Sequence, residues 1–211
     1  MDERTTGLVL RLFPLTETSL VVHWLSPEAG RIGTVAKGAR RPRSSFRGKL
    51  DLFHLAEFSF RRSRHSDLHT LCEVVLKEPF PNLRTDVNLL DCLARATRLL
   101  ARCTEEQTPL RAEFGLLLEL VTRLNTGGAG EFWLGVFEVK LLAAQGQEPD
   151  WAKAKLDAGT RAVAATMAAT DWDNLAKLRP SEGQLRRLAV YLDQFIGHHI
   201  GSVKRLAKEA G

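Results

Sequence analysis

The spacing of apolar residues changes period once along this chain, near residue 80. Before that point they come in short or alternating runs broken by turn residues, at 7–15, 20–25, 31–37, 50–60 and 68–76, which is the pattern of strands. From about residue 85 they recur every three or four positions, the pattern of helices. The two periods cannot share one layer. The chain therefore reads as α+β, with a strand-built domain at 1–80 and an all-helical domain at 81–211.

Within the first part, SPEAGR places Pro27 and Gly30 between the second and third runs, as a short hairpin turn requires. Five short strands in about 75 residues most economically close into a small barrel, and a five-stranded barrel of that size is an OB-fold. Pro14 is tolerable only at a strand end, bulge or edge. His23 and Trp24 must face opposite ways, which makes the tryptophan a core residue and the histidine a surface one. Phe13 and Phe53 read as core as well.

In the second part, TDVNLLDCLARATRLLARC carries one apolar stripe. TPLRAEFGLLLELVTRLNTGG opens with Thr108 as cap and Pro109 at the first helical position, and ends at Gly127. EFWLGVFEVKLLAAQG is apolar almost all round and stops at Gly146, as the central helix of a bundle would. PSEGQLRRLAVYLDQFIGHHI has Ser181 and Gln184 in capping-box spacing. Between 148 and 179 the text is alanine-rich and weakly patterned, anchored only by Trp151 and Trp172.

With 44% hydrophobic and 26% charged residues, global disorder is excluded. The three cysteines, Cys72, Cys92 and Cys103, are odd in number and share no CxxC spacing, which speaks against a disulfide framework and a zinc site and for a reducing compartment. No apolar run approaches the roughly 20 residues of a membrane helix, and no signal segment opens the chain, so a cytoplasmic protein without membrane contact is expected. No phosphate loop of the GxxxxGK[ST] kind, no GxSxG elbow and no Cys with an evident His partner appears, so neither catalytic residues nor a cofactor are expected. NTGGAG, with no strand before it, terminates a helix. His65 and His69 have ligand spacing but lie in a polar turn-to-strand region without cysteine. Asp171 and Asp173 in DWDN suit helix capping better than a metal.

The net charge of +5 is concentrated in one place. Between Glu28 and Asp51 stand seven cations and no acid: Arg31, Lys37, Arg40, Arg41, Arg43, Arg47 and Lys49. Such a block points to phosphate, an anionic surface or an acidic tail. Arginine forks fit phosphate oxygens, and Phe46 among them reads as an aromatic free to stack on an unpaired base. The connection leaves the third run, beside the face with which OB-folds bind oligonucleotides. Its polar composition predicts no order of its own. The DNA-contacting set is therefore Lys37, Arg40, Arg41, Arg43 and Arg47, with Arg31 and Lys49 flanking and Phe46 as stacker. Two other classes compete: an adaptor whose basic segment grips an acidic partner, and a metal-dependent nuclease.

The first 60 residues, with the glycine-led first strand TTGLVLRLF, Glu17 before the second strand, and SPEAGR followed by VAKGARRPRS, resemble the N-terminal OB domain of the bacterial recombination mediator RecO. LRTDV at 83–87, FEVKLLAAQG at 137–146 and GHHIGSVKRL at 197–206 are similar to later landmarks of that family, so the resemblance spans essentially the whole chain. It implies a non-enzymatic mediator of the RecF pathway that binds single- and double-stranded DNA and anneals complementary strands. With RecR, such a protein helps RecA load on gapped DNA coated with single-strand-binding protein, whose acidic, apolar-tipped C-terminal tail it engages through the helical domain. Nucleoid association would follow. Many RecO proteins carry a four-cysteine zinc module after the equivalent of LLAAQGQEP. Here the segment at about 147–175 has no cysteine, so no metal site is expected. Gly197, His198 and His199 replace a Gly-Arg-Pro common among relatives.

Overall fold

The computed structural model describes the backbone of residues 2–209 and the side chains of residues 2–199. Five strands, β1 Glu3–Pro14, β2 Leu20–Ser26, β3 Gly30–Ala36, β4 Leu55–Arg61 and β5 Leu68–Glu78, precede a 3-10 turn, Pro81–Arg84. Then come the helices α1 Val87–Cys103, α2 Arg111–Asn125, α3 Gly130–Ala144, α4 Ala158–Ala169, α5 Trp172–Leu175 and α6 Glu182–Glu209. Two compact units result. One joins residues 1–85 to 105–125, and the other joins 86–104 to 126–211.

In the first unit the strands close in the order β1-β2-β3-β5-β4, with β4 pairing back onto β1. β3 and β5 are parallel and the other neighbours antiparallel. This is the expected five-stranded OB barrel. Its interior holds Val9, Val22, Trp24, Ile32, Phe58, Phe60 and Leu71. Trp24 stacks on Phe58 at 4.0 Å. Its indole N–H donates to the Thr34 hydroxyl (2.9 Å), which donates to the Val22 carbonyl (3.3 Å), so both buried polar side-chain groups are paired. His23 faces out, half-buried, and Pro14 ends β1.

Two features of the barrel differ from the sequence reading. β4 begins at Leu55, not at residue 50, because residues 51–54 turn sharply: Phe53 takes φ 59°. In that turn the Phe53 N–H donates to the Val9 carbonyl (2.8 Å), and His54 returns its carbonyl to the Val9 N–H (3.1 Å). Phe53 is buried as expected, but Phe13 is 44% exposed. The cause is a β-bulge: Val9 pairs with Trp24 and Arg11 with His23, so two steps on β1 match one on β2. That extra residue flips every side chain beyond it to the other face.

Segment 105–125, which its period groups with the other helices, packs with the barrel. The Gln107 N–H donates to the Arg31 carbonyl (3.1 Å) and the Leu110 N–H to the Pro27 carbonyl (3.0 Å). α2 lies on β2 and on the 3-10 turn, turning inward Leu117, Leu120, Val121 and Leu124. Because Leu110 is held by Pro27, the helix starts at Arg111. Thr108 and Pro109 stay outside it, contrary to the expected cap; the Thr108 hydroxyl donates to the Glu105 carbonyl instead.

The second unit is a helical bundle around α3, which is buried on nearly every side and packs against α1, α4 and α6. α3 ends at Ala144, two residues before Gly146 at φ 65°. The weakly patterned segment supplies α4 and α5. Both start at capping aspartates: Asp157 accepts from the Thr160 N–H and Asp171 from the Asn174 N–H. The Thr160 hydroxyl and amide, aided by Arg187, hold the Asp157 carboxyl down at about 2. The capping box of α6 is present, with Ser181 N–H on Gln184 Oε1 at 2.8 Å and Gln184 N–H on Ser181 Oγ at 3.3 Å. Burial pushes Glu138, in the middle of α3, up to about 7. Of the GHHIGSVKRL landmark, the side chains from residue 200 onward lie outside the described residues. Among the described residues, no helix is long and apolar enough to cross a membrane.

Gly30 holds φ 69°, and a β-carbon there would overlap the Thr108 carbonyl. Gly30→Val should therefore cost more than about 2 kcal/mol in thermal or urea unfolding, and a loss below 0.5 kcal/mol, roughly a neutral surface change, would mean the 105–110 segment does not pack as described. His69 is 3% exposed and stacked on Phe60. Its Nδ1 accepts from the Ser63 N–H at 3.4 Å, and its Nε2 has no partner. Burial, with Arg62 adding repulsion, holds its pKa below the ordinary 6.5. The folded barrel thus refuses a proton that the unfolded chain accepts, so stability is complete above about pH 6.5 and falls as pH drops below it. In melts at pH 7.5 and 5.5 the wild type should lose more Tm than His69→Leu; equal losses would show that His69 does not carry the effect.

Candidate nucleic-acid interface

The basic connection between β3 and β4 is a chain of turns with an apolar anchor. After β3 ends, Ala39 N–H donates to Ala36 O, Arg41 to Gly38, Ser44 to Arg41, Arg47 to Ser44 and Lys49 to Phe46, all between 3.1 and 3.3 Å. Gly38 and Gly48 bracket the turns at φ 71° and 72°. The expected lack of order is not what the structure has, and Phe46 is the reason. Its ring is 7% exposed and belongs to the barrel core, with Ala39 and Leu50 packed against the same cluster. Burying such a ring contributes roughly 1.5–3 kcal/mol, which adds to the turn hydrogen bonds and the Arg40 contacts that hold the segment. Phe46 is therefore corrected from a free stacking residue to the plug that holds the segment down.

Two further contacts fasten it. The Arg40 N–H donates to the Thr18 carbonyl at 3.0 Å and the Arg40 guanidinium to the Thr16 carbonyl at 2.7 Å, tying it to the β1–β2 turn. At its far end Asp51, the first acid after the run, is taken by Arg84 at 2.8 Å, whose other nitrogen donates to the Leu52 carbonyl.

With its apolar residues turned in, the segment turns its cations out. Lys37, Arg40, Arg41, Arg43 and Arg47 are exposed and Lys49 is half-buried. The Arg47 guanidinium reaches the Pro42 carbonyl at 3.4 Å. Among the described residues, none of these six is ion-paired to a carboxylate. Several cations elsewhere on the barrel are ion-paired. Arg4 bridges Glu57 and Glu73, Lys77 meets Glu57, Arg61 meets Asp2, and Arg62 meets Glu3. The basic segment thus carries the densest run of unpaired cations among the described residues.

Arg31 stands apart from the exposed set. It starts β3, about 20 Å of strand from Lys37, its side chain is 16% exposed, and it faces Glu106 at 3.5 Å. Burial lowers its pKa, against the pull of Glu106. It braces the 105–108 segment, and the expectation that it flanks the exposed cations is corrected on that ground.

The sequence reading passed over the outer face beside this segment. Phe13, Val21 and Val35 stand in register across β1, β2 and β3, and Arg11, His23 and Gly33 form the next rung on the same face. Phe13 leans on the His23 ring at 5.5 Å. Burial holds His23 below the ordinary imidazole value, so at neutral pH the ring is uncharged. A groove of about 460 Å³ lies alongside, lined by Leu15, Thr16, Thr18, Val35, Lys37 and Arg41 among others. The bulge hid Phe13 and Arg11, because a strict alternation from Val9 puts Phe13 inside. The one available signal was local: the exposed-type Arg11 two residues before Phe13 marks that face as outward.

Chemically, the site is a fixed, uncompensated cluster of guanidinium and ammonium groups next to an apolar ledge. It can neutralise phosphates and cover an apolar ring. Among the described residues, no cluster of three or more His, Cys, Asp or Glu could hold a metal ion.

Comparison with known proteins matches residues 1–80 to the family described as Recombination protein O N terminal and residues 84–154 to Recombination protein O C terminal. Among similar proteins, a Bacillus pumilus one is 33% identical over 147 residues, covering 70% of this chain and 57% of its own. A Salinibacter ruber one is 34% identical over 126 residues, 60% of this chain and 48% of its own. An Anaeromyxobacter one is 32% identical over 158 residues, 75% and 60%. Each bears the name DNA repair protein RecO. The matches span about half to three fifths of those relatives' length. With both halves of the family matched in order, and with a closed five-stranded barrel followed by a helical bundle, the chain belongs to the RecO family.

Proposed function

We propose that this protein is a non-enzymatic DNA-binding mediator of recombination and repair. Its barrel binds single- and double-stranded DNA through Lys37, Arg40, Arg41, Arg43 and Arg47, with Lys49 at the margin. It brings complementary strands together and, with RecR, helps RecA load on DNA covered by single-strand-binding protein. The observation that carries the reading is the uncompensated cation cluster, anchored to the barrel by Phe46 and Arg40.

The physics is direct. Two complementary strands repel through their phosphates, and a surface that neutralises both lowers the cost of bringing them together. Released counterions supply the free energy, independent of base sequence. Arginine forks outside and a buried aromatic plug inside keep the charges in place, so little ordering entropy is lost on binding.

The helical unit supplies the partner side of the reading. A groove of about 1070 Å³ runs between the 150–157 segment and α6, with Lys155 and the ion-paired Lys153, Arg186 and Arg187 around Tyr191 and Phe195. An acidic peptide ending in an apolar residue, such as the tail of single-strand-binding protein, suits that combination of cations and aromatics.

With about five phosphates neutralised, single-strand affinity should fall on the order of 100-fold between 50 and 200 mM salt, a logarithmic slope near −3.5. Reversing Arg41 and Arg43 to Glu should abolish annealing and cut oligonucleotide affinity more than tenfold, with the melting temperature within about 2 °C of wild type. Unchanged DNA affinity in that variant would remove the segment from the interface. Failure of the wild type to bind naked oligonucleotide at low salt would make the protein an adaptor for an acidic partner. For the groove, Lys155→Glu with Arg186→Glu should weaken a fluorescent acidic peptide with a C-terminal Phe at least fivefold, without altering oligonucleotide binding; a loss of both would argue for a general effect of net charge.

A further inference from the structure

The ledge beside the basic segment is built for one task that the cations cannot perform. Phe13 is an aromatic ring on an ordered strand that leaves 44% of its surface exposed, area that gains nothing for folding. It is not loose. Pro14 follows it, which confines its backbone to the extended region, and both residues hold ladder positions, Phe13 against Val21 and Pro14 against Leu20. One side of the ring leans on His23. Val21, between Phe13 and Val35, is fully buried although it faces outward, so the accessible apolar surface is that of Phe13 with the partly exposed Val35 two strands away. Cations border it. Arg11 is one rung back on the same strand face, Lys37 lies just past the end of β3, and Arg41 lines the adjoining groove with Leu15 and Val35.

An apolar, planar, pre-set surface rimmed by phosphate-binding groups fits an unpaired nucleotide: the base covers the ring while the backbone meets the cations. It does not fit a duplex, whose bases are already stacked and offer only backbone and groove edges. We propose that Phe13 is a base-stacking platform that makes this face of the barrel distinguish single strands from duplex, whereas the cations bind both alike. The proposal rests on the DNA-binding reading above and adds to it the selectivity for unpaired bases.

Equilibrium binding of the full chain to a fluorescent single strand, to the same strand as duplex, and to a single strand with abasic sites tests it. Phe13→Ala should weaken single-strand binding between about 5- and 150-fold, the measured range for loss of one stacked base, and leave duplex binding within twofold. Phe13→Leu, which keeps an apolar side chain there but has no π-face, should behave as Phe13→Ala, and Phe13→Trp should bind at least as well as wild type. The logarithmic salt slope should stay the same in all three, because no phosphate contact is removed, whereas loss of a basic-segment cation should lower it by about 0.7. Abasic substitution should weaken the wild type and leave Phe13→Ala little changed. Wild-type affinity in Phe13→Leu, or an equal loss on single strand and duplex, would overturn the stacking role while the cation reading stands. Wild-type affinity in the Arg41→Glu, Arg43→Glu variant with a loss in Phe13→Ala would overturn the cation reading instead and keep the ledge.

Discussion

A cluster of five or six like charges has no reason to stay together on a protein surface, and the insertion of the Phe46 ring into the barrel core is what keeps this one there. Mutual repulsion favours spreading the segment into solvent, and the turns that fold it contribute only about 1 kcal/mol each against the entropy of ordering. The apolar anchors at Ala39, Phe46 and Leu50 supply the missing term, and Arg40 spends its own guanidinium on the Thr16 carbonyl. The pattern of the segment is thus amphipathic in a third way, neither strand nor helix: anchors inward at irregular intervals, cations outward between them. A surface held in that manner presents its charges before any ligand arrives.

Charge balance over the barrel sharpens the effect. Had the outer faces of β1, β4 and β5 kept Arg4, Arg61, Arg62 and Lys77 uncompensated, the protein would be evenly positive and bind polyanions anywhere. Their ion pairs are exposed and contribute little to stability. Their consequence is for the charge: these four cations are neutralised, while those of the β3–β4 connection are not paired to carboxylates among the described residues.

The barrel also recruits chain from beyond itself. Gly30, with no side chain, lets the Thr108 carbonyl approach, and Arg31 reaches Glu106 from a nearly buried position. α2 then covers β2. A glycine in a hairpin turn and an arginine beside it look like turn chemistry and phosphate chemistry when read in isolation. In the fold both serve the docking of a segment some 75 residues further on.

The amino-acid sequence by itself determined the change from strands to helices, the five-stranded barrel, the buried Trp24, the central α3, the caps at Asp171 and Ser181, and the position of the basic segment, because each rests on local periodicity or on residues a few positions apart. It did not determine which way Phe13 and Phe46 face, that Arg31 belongs to the fold, or that α2 joins the barrel. Those depend on a one-residue bulge that reverses a strand's two faces, on which aromatic finds room at the end of a closed sheet, and on contacts between distant segments. Local pattern sets what an element is; only the closed barrel, with its limited interior volume, decides which rings it takes in and which it leaves at the surface.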